Sequence, residues 1–297
     1  MYQYLLNVYS YMLHGYKYKE NFWFLTGKGR NGKSLYSSLM DVTLGQYSYC
    51  PTADIFTSVN PQSSSHSDEL AKMKGKRCVM ASEPDDTNTQ FNVSRLKKWR
   101  GNDKLQARPI YESSIEFKPQ FAFMILMNDM PSLDKVDSAL AMTMKVIHFP
   151  FTFVDTPDLN KPNERQGQNG LKETFDTDIR YRQQFIRLLL ENYAENIKGR
   201  KMFDDPEEVK AATKEYLADN NIVGVWLNER IDITNDKADR IKSQEMYEMF
   251  SNDTKVKMTY KAFMKAMRYN NINEIKNNVM WFTGVKGKHV DVDDMLD

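Results

Sequence analysis

Eight consecutive residues, Gly27-Lys28-Gly29-Arg30-Asn31-Gly32-Lys33-Ser34, constrain the fold of this chain more than any other feature. They fit the pattern G-x-x-x-x-G-K-[ST] at every fixed position, and each fixed position answers a physical need. Gly27 and Gly32 permit backbone turns that a Cβ would block, so successive N–H groups can point at one anion. Lys33 brings a point charge to the β- and γ-phosphates, and the Ser34 hydroxyl is a ligand suited to Mg²⁺. The flanks agree with this reading. Phe22-Trp23-Phe24-Leu25 has the composition of a buried strand entering the turn. Ser34-Leu35-Tyr36-Ser37-Ser38-Leu39-Met40 has that of a helix leaving it, its positive end toward the phosphates. The expected ligand is a nucleoside triphosphate, wrapped by residues 27 to 35.

The rest of the chain supports an ordinary soluble class. Its 297 residues allow one large or two modest domains, and 41% hydrophobic with 27% charged residues is usual for a globular protein. The longest apolar run, Phe121-Ala122-Phe123-Met124-Ile125-Leu126-Met127, is too short for a bilayer and suits a buried strand, so no membrane role is expected. The start of the chain carries no charged leader or cleavage site, hence no secretory signal. Cys50 and Cys78 have no pairing pattern, which fits a reducing compartment. His14, His66, His148 and His289 lack metal-ligand spacing and read as structural or surface residues. The net charge of +1 hides two basic clusters. One runs from Lys72 through Arg77, Arg95, Lys98 and Arg100 to Arg108. The other holds Lys255, Lys257, Lys261, Lys265 and Arg268.

Strand-like and helix-like stretches alternate from Asn21 to about Asp155, which predicts an α/β core with a parallel sheet flanked by helices. Residues 1–20 read as an amphipathic helical segment in front of that core. The Ser/Thr/Pro/Asn-rich stretch Thr57 to Ser67 reads as a loop, and residues 156–200 as a linker followed by a helix from Asp178 to Lys198. Pro206 with Glu207 and Glu208 opens another helix, and residues 201–297 read as a small helical domain. Within it Thr259 to Arg268 looks like a capped helix with Phe263 and Met267 inward. Met280-Trp281-Phe282-Thr283 reads as a strand and Gly284-Val285-Lys286-Gly287 as a turn, an order compatible with a winged helix.

Phosphate chemistry needs an acid on a neighbouring strand to hold Mg²⁺ and polarise water. Cys78-Val79-Met80-Ala81-Ser82-Glu83-Pro84-Asp85 supplies one, with Glu83 the expected metal and water ligand and Asp85 or Asp86 in support. A third strand, Phe123-Met124-Ile125-Leu126-Met127, ends in Asn128, whose amide can donate to a γ-phosphate while accepting from an attacking water. A strand-terminal turn residue would also explain Asn128. Trp99 is suited either to stacking on a base or to burial in the helix before the next strand.

These segments, taken in order, resemble the poxvirus-type primase-helicases, superfamily 3 helicases of nucleocytoplasmic large DNA viruses. The resemblance rests on Gly27 to Ser34, on Gly75-Lys76-Arg77 through Ala81-Ser82-Glu83-Pro84, and on Arg100-Gly101-Asn102-Asp103. It rests equally on Ala107-Arg108-Pro109-Ile110-Tyr111, Phe117-Lys118-Pro119-Gln120-Phe121 and Asn128-Asp129-Met130-Pro131. It is strong from about Leu25 to Phe153 and continues weakly through Pro206 to Leu217. It implies an AAA+-type core that hydrolyses ATP with Mg²⁺, a hexameric ring around single-stranded DNA, 3′→5′ translocation, and a viral replication site in the host cytoplasm. A primase module or other replication proteins would be its partners, although nothing before Asn21 is long enough to hold a primase site. The hairpin from about Leu105 to Phe117 would face the pore, bringing Lys104, Arg108, Ile110 and Tyr111 to DNA.

The sequence departs from the family at two places. Relatives often carry Lys and His near the hairpin tip, where this chain has Ile110 and Tyr111. An arginine finger is expected where Met142 and Thr143 stand, and Lys145 is the nearest cation. A finger is worth roughly 10³–10⁵ in turnover in other P-loop enzymes. Either Lys145 or an arginine elsewhere acts across the subunit boundary, or hydrolysis is slow. Two further readings therefore stand beside a DNA helicase: an ATP-gated ring assembly or DNA-loading module with weak hydrolysis, and a small-molecule kinase. The long basic segment between Glu83 and Asn128 opposes the last.

Overall fold

The structure, a computed structural model, describes all residues except 52, 57–62, 83–90, 131, 134–135, 137, 200–202, 235, 257 and 289–297, with backbone only at 63–66 and 138. Its contacts divide the chain into two units, one of residues 1–134 and 142–216 and one of residues 135–141 and 217–297.

The first unit is built on strands β1 (Phe22–Thr26), β2 (Ser48–Tyr49), β3 (Cys78–Ala81), β6 (Ala122–Leu126) and β7 (Met144–His148). Between β3 and β6 lies a separate hairpin of β4 (Leu105–Ala107) and β5 (Ile115–Phe117). The five main strands form one sheet in the order β2-β3-β6-β1-β7, with every neighbouring pair parallel. Its central strands β1, β3 and β6 are buried at every position, as expected of a parallel sheet covered on both faces. The alternation of a strand sorts the side chains into two cores. Phe22 and Phe24 enter an aromatic cluster in which Phe22 stacks on Phe123, Phe123 on Phe56, and Phe56 meets Trp99 edge-on. Trp23 and Leu25 face the other way, toward Tyr4, Tyr9, Tyr11 and Met40.

Helices α1 (Tyr2–Met12), α2 (Lys33–Leu44), α3 (Ser63–Lys72) and α4 (Val93–Arg100) accompany this sheet, α5 (Ser138–Thr143) falls mostly in the second unit, and α6 (Leu171–Thr177), α7 (Ile179–Asn192) and α8 (Glu207–Asp219) follow in the first. Helix α1 is part of the core, not a preceding segment. It buries Tyr4, Leu6, Val8, Tyr9, Tyr11 and Met12, and the Trp23 indole N–H donates to the Tyr4 hydroxyl at 3.2 Å. Burying side chains of this size contributes about 1.5–3 kcal/mol each. Residues 156–216 belong to this unit as well, so the unit boundary falls within α8 rather than near residue 200. A short parallel pair, β8 (Thr152–Val154) and β9 (Glu164–Gln166), occupies part of the expected linker.

Ser63 to Ser67 is helical, contrary to the loop expected there, while residues 57–62 lie outside the described residues. The later turns of α3 sustain it. Leu70 is buried, with Met73 just beyond the helix end, and Lys72 pairs with Asp68 at 2.8 Å and Glu69 at 3.0 Å. The motif Arg100-Gly101-Asn102 also has a structural use. Arg100 donates to the Glu20 carbonyl at 3.0 Å, and the Asn102 amide donates to the Lys17 carbonyl at 2.7 Å.

The second unit contains α9 (Ile222–Arg230), β10 (Ile231–Ile233), β11 (Arg240–Lys242), α10 (Ser243–Thr254), α11 (Tyr260–Tyr269), β12 (Asn273–Asn277), β13 (Val279–Thr283) and β14 (Val285–Gly287). Thr259 caps α11 by accepting from the Ala262 N–H at 3.3 Å, and Phe263 and Met267 are buried, as the sequence pattern predicts. The expected turn 284–287 is mostly strand. Only Gly284 turns, with φ +71°, and β14 then pairs antiparallel with β10. The hairpin partner of β13 is β12, joined through Asn278.

Candidate nucleotide site and hairpin

The parallel sheet brings the predicted elements to one edge. Leu25 lies beside Leu126 in the β1–β6 register, so the chain leaves β1 into Gly27 next to where it leaves β6 into Asn128. Strand β3 pairs with β6 through Ala81 and Ile125, so it too ends at this edge. Glu83 and Asp85 follow directly but lie outside the described residues, as does Asp86.

The turn between β1 and α2 is shaped by its two motif glycines. Gly27 has φ +136°, and a Cβ there would stand 2.5 Å from the Phe149 carbonyl oxygen and 2.6 Å from the Asn31 amide nitrogen. Gly32 has φ +86° at the N-cap of α2. Lys28, Gly29, Arg30 and Ser34 are exposed, whereas Asn31 and Lys33 are buried. The Asn31 side chain accepts the Lys33 backbone N–H at 3.3 Å, and its own buried amide nitrogen has no partner among the described residues. The Lys33 ammonium donates to the Gly27 carbonyl and lies 3.5 Å from the Asn128 side-chain oxygen. Two of the expected catalytic groups therefore meet, although 95 residues separate them in sequence.

Two features here were not foreseen. The segment after β7 clasps the turn: the Phe149 N–H donates to the Thr26 carbonyl at 2.8 Å, and the Phe153 N–H to the Arg30 carbonyl at 2.7 Å. In addition, a cavity of about 320 Å³ begins at Leu35, the residue after Ser34, and is lined by Leu6, Tyr9, Tyr36, Phe175 and Phe185 among others. Tyr9 stacks on Tyr36 with ring centroids 5.8 Å apart, and its buried hydroxyl has no partner among the described residues. The periodicity of α1 and α7 carries the signal for apolar faces there, but nothing in it says that the faces leave a hollow.

The hairpin occupies the predicted residues. Its tip is anchored from α3: the Arg108 N–H donates to the Ser67 hydroxyl at 2.6 Å, and the Ile110 N–H to the Asp68 carboxylate at 3.1 Å. Tyr111 sits in the left-handed region at φ +63° and is fully exposed, with Ile110 half exposed beside it. The Arg108 guanidinium turns back to the Glu112 carbonyl at 3.1 Å, and Lys104 pairs with Glu116 at 2.7 Å.

Lys145 has an internal partner. It lies opposite Trp23, in the first half of β7, and its ammonium is 2.8 Å from the Asp205 carboxylate, with both side chains about 15% exposed. Burial pushes the Asp205 carboxyl up, but Lys145 and the hydroxyl of Tyr4, at 2.7 Å, bring it below its ordinary value. Reaching another subunit would require Lys145 to abandon this pair. Met142 is exposed. Among the described residues no cluster of His, Cys, Asp and Glu could hold a metal ion, and no helix is long and apolar enough to cross a membrane.

Residues 25–139 match the model of a family of unknown function, DUF5906. The chain is similar to proteins of large DNA viruses and a virophage. It is 32% identical over 198 residues to "Putative helicase L207/L206" of Acanthamoeba polyphaga mimivirus, covering 65% of this chain and 20% of that protein. It is 27% identical to "Putative helicase 022R" of Frog virus 3, over 70% of this chain and 22% of that one. It is 28% identical to "Putative helicase V13" of Sputnik virophage, over 85% and 32%. The chain thus spans about a fifth to a third of the length of these relatives. Among solved structures, the apo NrS-1 C-terminal region aligns with 94% of this chain and 70% of its own, at 14% identity and a TM-score of 0.48.

Proposed function

We propose that this chain is the ATP-hydrolysing motor of a viral DNA helicase, an AAA+-type machine of superfamily 3 acting as a hexameric ring on single-stranded DNA. One observation carries the reading: the Lys33 ammonium stands at the Gly27 carbonyl and the Asn128 amide, where β1 and β6 end side by side. Similarity to viral proteins named as helicases supports it. The residues fit the phosphates of ATP, since a Cβ would fill the cradle at Gly27 and the buried Asn31 amide lacks a partner among the described residues. Lys33 would meet the phosphates with the 27–32 backbone, and Leu35 would border the base, which the apolar cavity would receive. Ser34 with Glu83 would hold Mg²⁺, which lends Lewis acidity to phosphoryl transfer. Asn128 would orient water, and Asp85 would support Glu83. Arg108, Ile110, Tyr111 and Lys104 would contact DNA, the exposed Tyr111 ring offering a stacking face. The C-terminal unit is read as a winged helix, and a primase module or other replication proteins as partners at a cytoplasmic replication site.

The Lys145–Asp205 pair favours a second reading, an ATP-gated ring assembly with weak hydrolysis. Separation of a forked DNA duplex with ATP and Mg²⁺ tests both. The motor reading expects separation by the wild type and none by Lys33→Ala. Ring formation with ATP but no separation would move the assignment to the gated assembly, and phosphorylation of a small metabolite would overturn both.

A further inference from the structure

The second unit carries a surface that the ATP site does not use. Strands β11, β13 and β12 form a sheet in that order, and its register sorts their side chains onto two faces. Ile241 and Phe282 lie side by side and face the core, where Phe282 is fully buried against Phe263. The alternate positions face outward. Lys242 and Ile275 flank Trp281 directly, and Arg240 is one pair further along beside Thr283. The Arg240 guanidinium lies over the Trp281 ring at 4.8 Å and the Lys242 ammonium at 5.6 Å. Arg240, Lys242, Asn273, Ile275, Asn277 and Val279 are all exposed.

Charge on the two faces is divided as sharply. The three strands contain one carboxylate, Glu274, which pairs in register with buried Phe282 and so belongs to the core side. It is neutralised there by Arg268 of α11, 2.9 Å away. The outward face therefore presents an indole, two cations, two amides and two aliphatic side chains, with no acid at any strand position.

We propose that this face binds single-stranded nucleic acid. Arg240 and Lys242 match phosphates, which the missing carboxylates leave unopposed. Trp281, Ile275 and Val279 offer apolar contact that a duplex cannot use, because its bases are stacked and closed, whereas the splayed bases of a single strand lie flat on such a sheet. The contact needs neither ATP nor the Leu105–Phe117 hairpin, so it survives if the motor reading fails.

Tryptophan fluorescence of the full chain, titrated with an oligo-dT without nucleotide, reports on this face specifically. Trp23, Trp99 and Trp226 are 0%, 5% and 3% exposed, so quenching by DNA comes from Trp281. Quenching is expected to saturate together with the anisotropy of a labelled oligo-dT. Trp281→Ala should abolish it and weaken binding by about 5- to 150-fold, the range for loss of one base–aromatic stack. Arg240→Gln with Lys242→Gln, both exposed and thus safe for folding, should lower the log–log salt slope by about 1.4. Unchanged emission on saturation, or equal affinity and slope in the double variant, would overturn the proposal. So would tighter binding of polyglutamate than of oligo-dT, which would make the occupant an acidic protein. Equal response to oligo-rU would extend the site to RNA, as its chemistry expects.

Discussion

Lys33, at the start of α2 in the turn that leaves β1, and Lys145, on the neighbouring strand β7, make different contacts. Lys33, just past the end of β1, is oriented by the Gly27 carbonyl and the Asn128 amide oxygen. Lys145, near the start of β7, is paired with a carboxylate at 2.8 Å. A carboxylate at this distance cancels the charge of the ammonium it meets, as Asp205 does for Lys145. The first set of contacts fixes the Lys33 ammonium where β1 and β6 end. The second suits a cross-link between β7 and the segment before α8.

The comparison breaks most readily at Lys33. Lys33→Ala is expected to lower ATP hydrolysis by at least about 10²–10³-fold, the scale for removing one preorganised charge from a transition state, while the melting temperature changes little. A variant that hydrolyses ATP at the wild-type rate would remove Lys33 from the chemistry. Next in size is the opposite lysine. Lys145→Met leaves the mostly buried Asp205 carboxylate without its cation and is expected to cost about 2–4 kcal/mol in urea unfolding. Hydrolysis per folded molecule should persist. Loss of hydrolysis in a folded Lys145→Met ring would instead assign Lys145 a role across the subunit boundary.

A third lysine sharpens the contrast with a smaller effect. Lys17 is buried, donates to the Trp99 carbonyl at 2.6 Å and lies over the Phe121 ring. Burial lowers its pKa to about 7, with Glu20 opposing the change and Arg100 adding to it. The unfolded chain keeps the ordinary lysine value, so above about pH 7 it binds more protons than the folded state does. Stability should therefore rise with pH from about 7 toward about 10, and Lys17→Met should flatten that slope in urea titrations at several pH values. An equal slope in both proteins would assign the dependence to other groups.

Much of the site was legible because its signals are local. A glycine turn with positive φ, a buried strand before it and a helix after it occupy one short stretch, and the hairpin bounds came from the family resemblance. What escaped the sequence is long-range. Asp205 lies 60 positions from Lys145, so no window of sequence shows that the expected trans-acting cation is already engaged. The first turn of α3 reads as a loop because it is rich in Ser, whereas its stability comes from Leu70, Met73 and the Lys72 ion pairs. Gly284 to Gly287 resembled a turn because two glycines bracket it, yet pairing with β10 extends 285–287. The Trp281 face depends on strand register, which a run of residues does not reveal.

The ATPase rate measured against protein concentration, with and without single-stranded DNA and with Lys33→Ala as the blank, tests the central assignment most directly. A working ring predicts a rate that rises cooperatively with concentration and rises again with DNA. A wild-type rate indistinguishable from Lys33→Ala, with nucleotide still bound, would contradict the motor and leave a nucleotide-gated assembly.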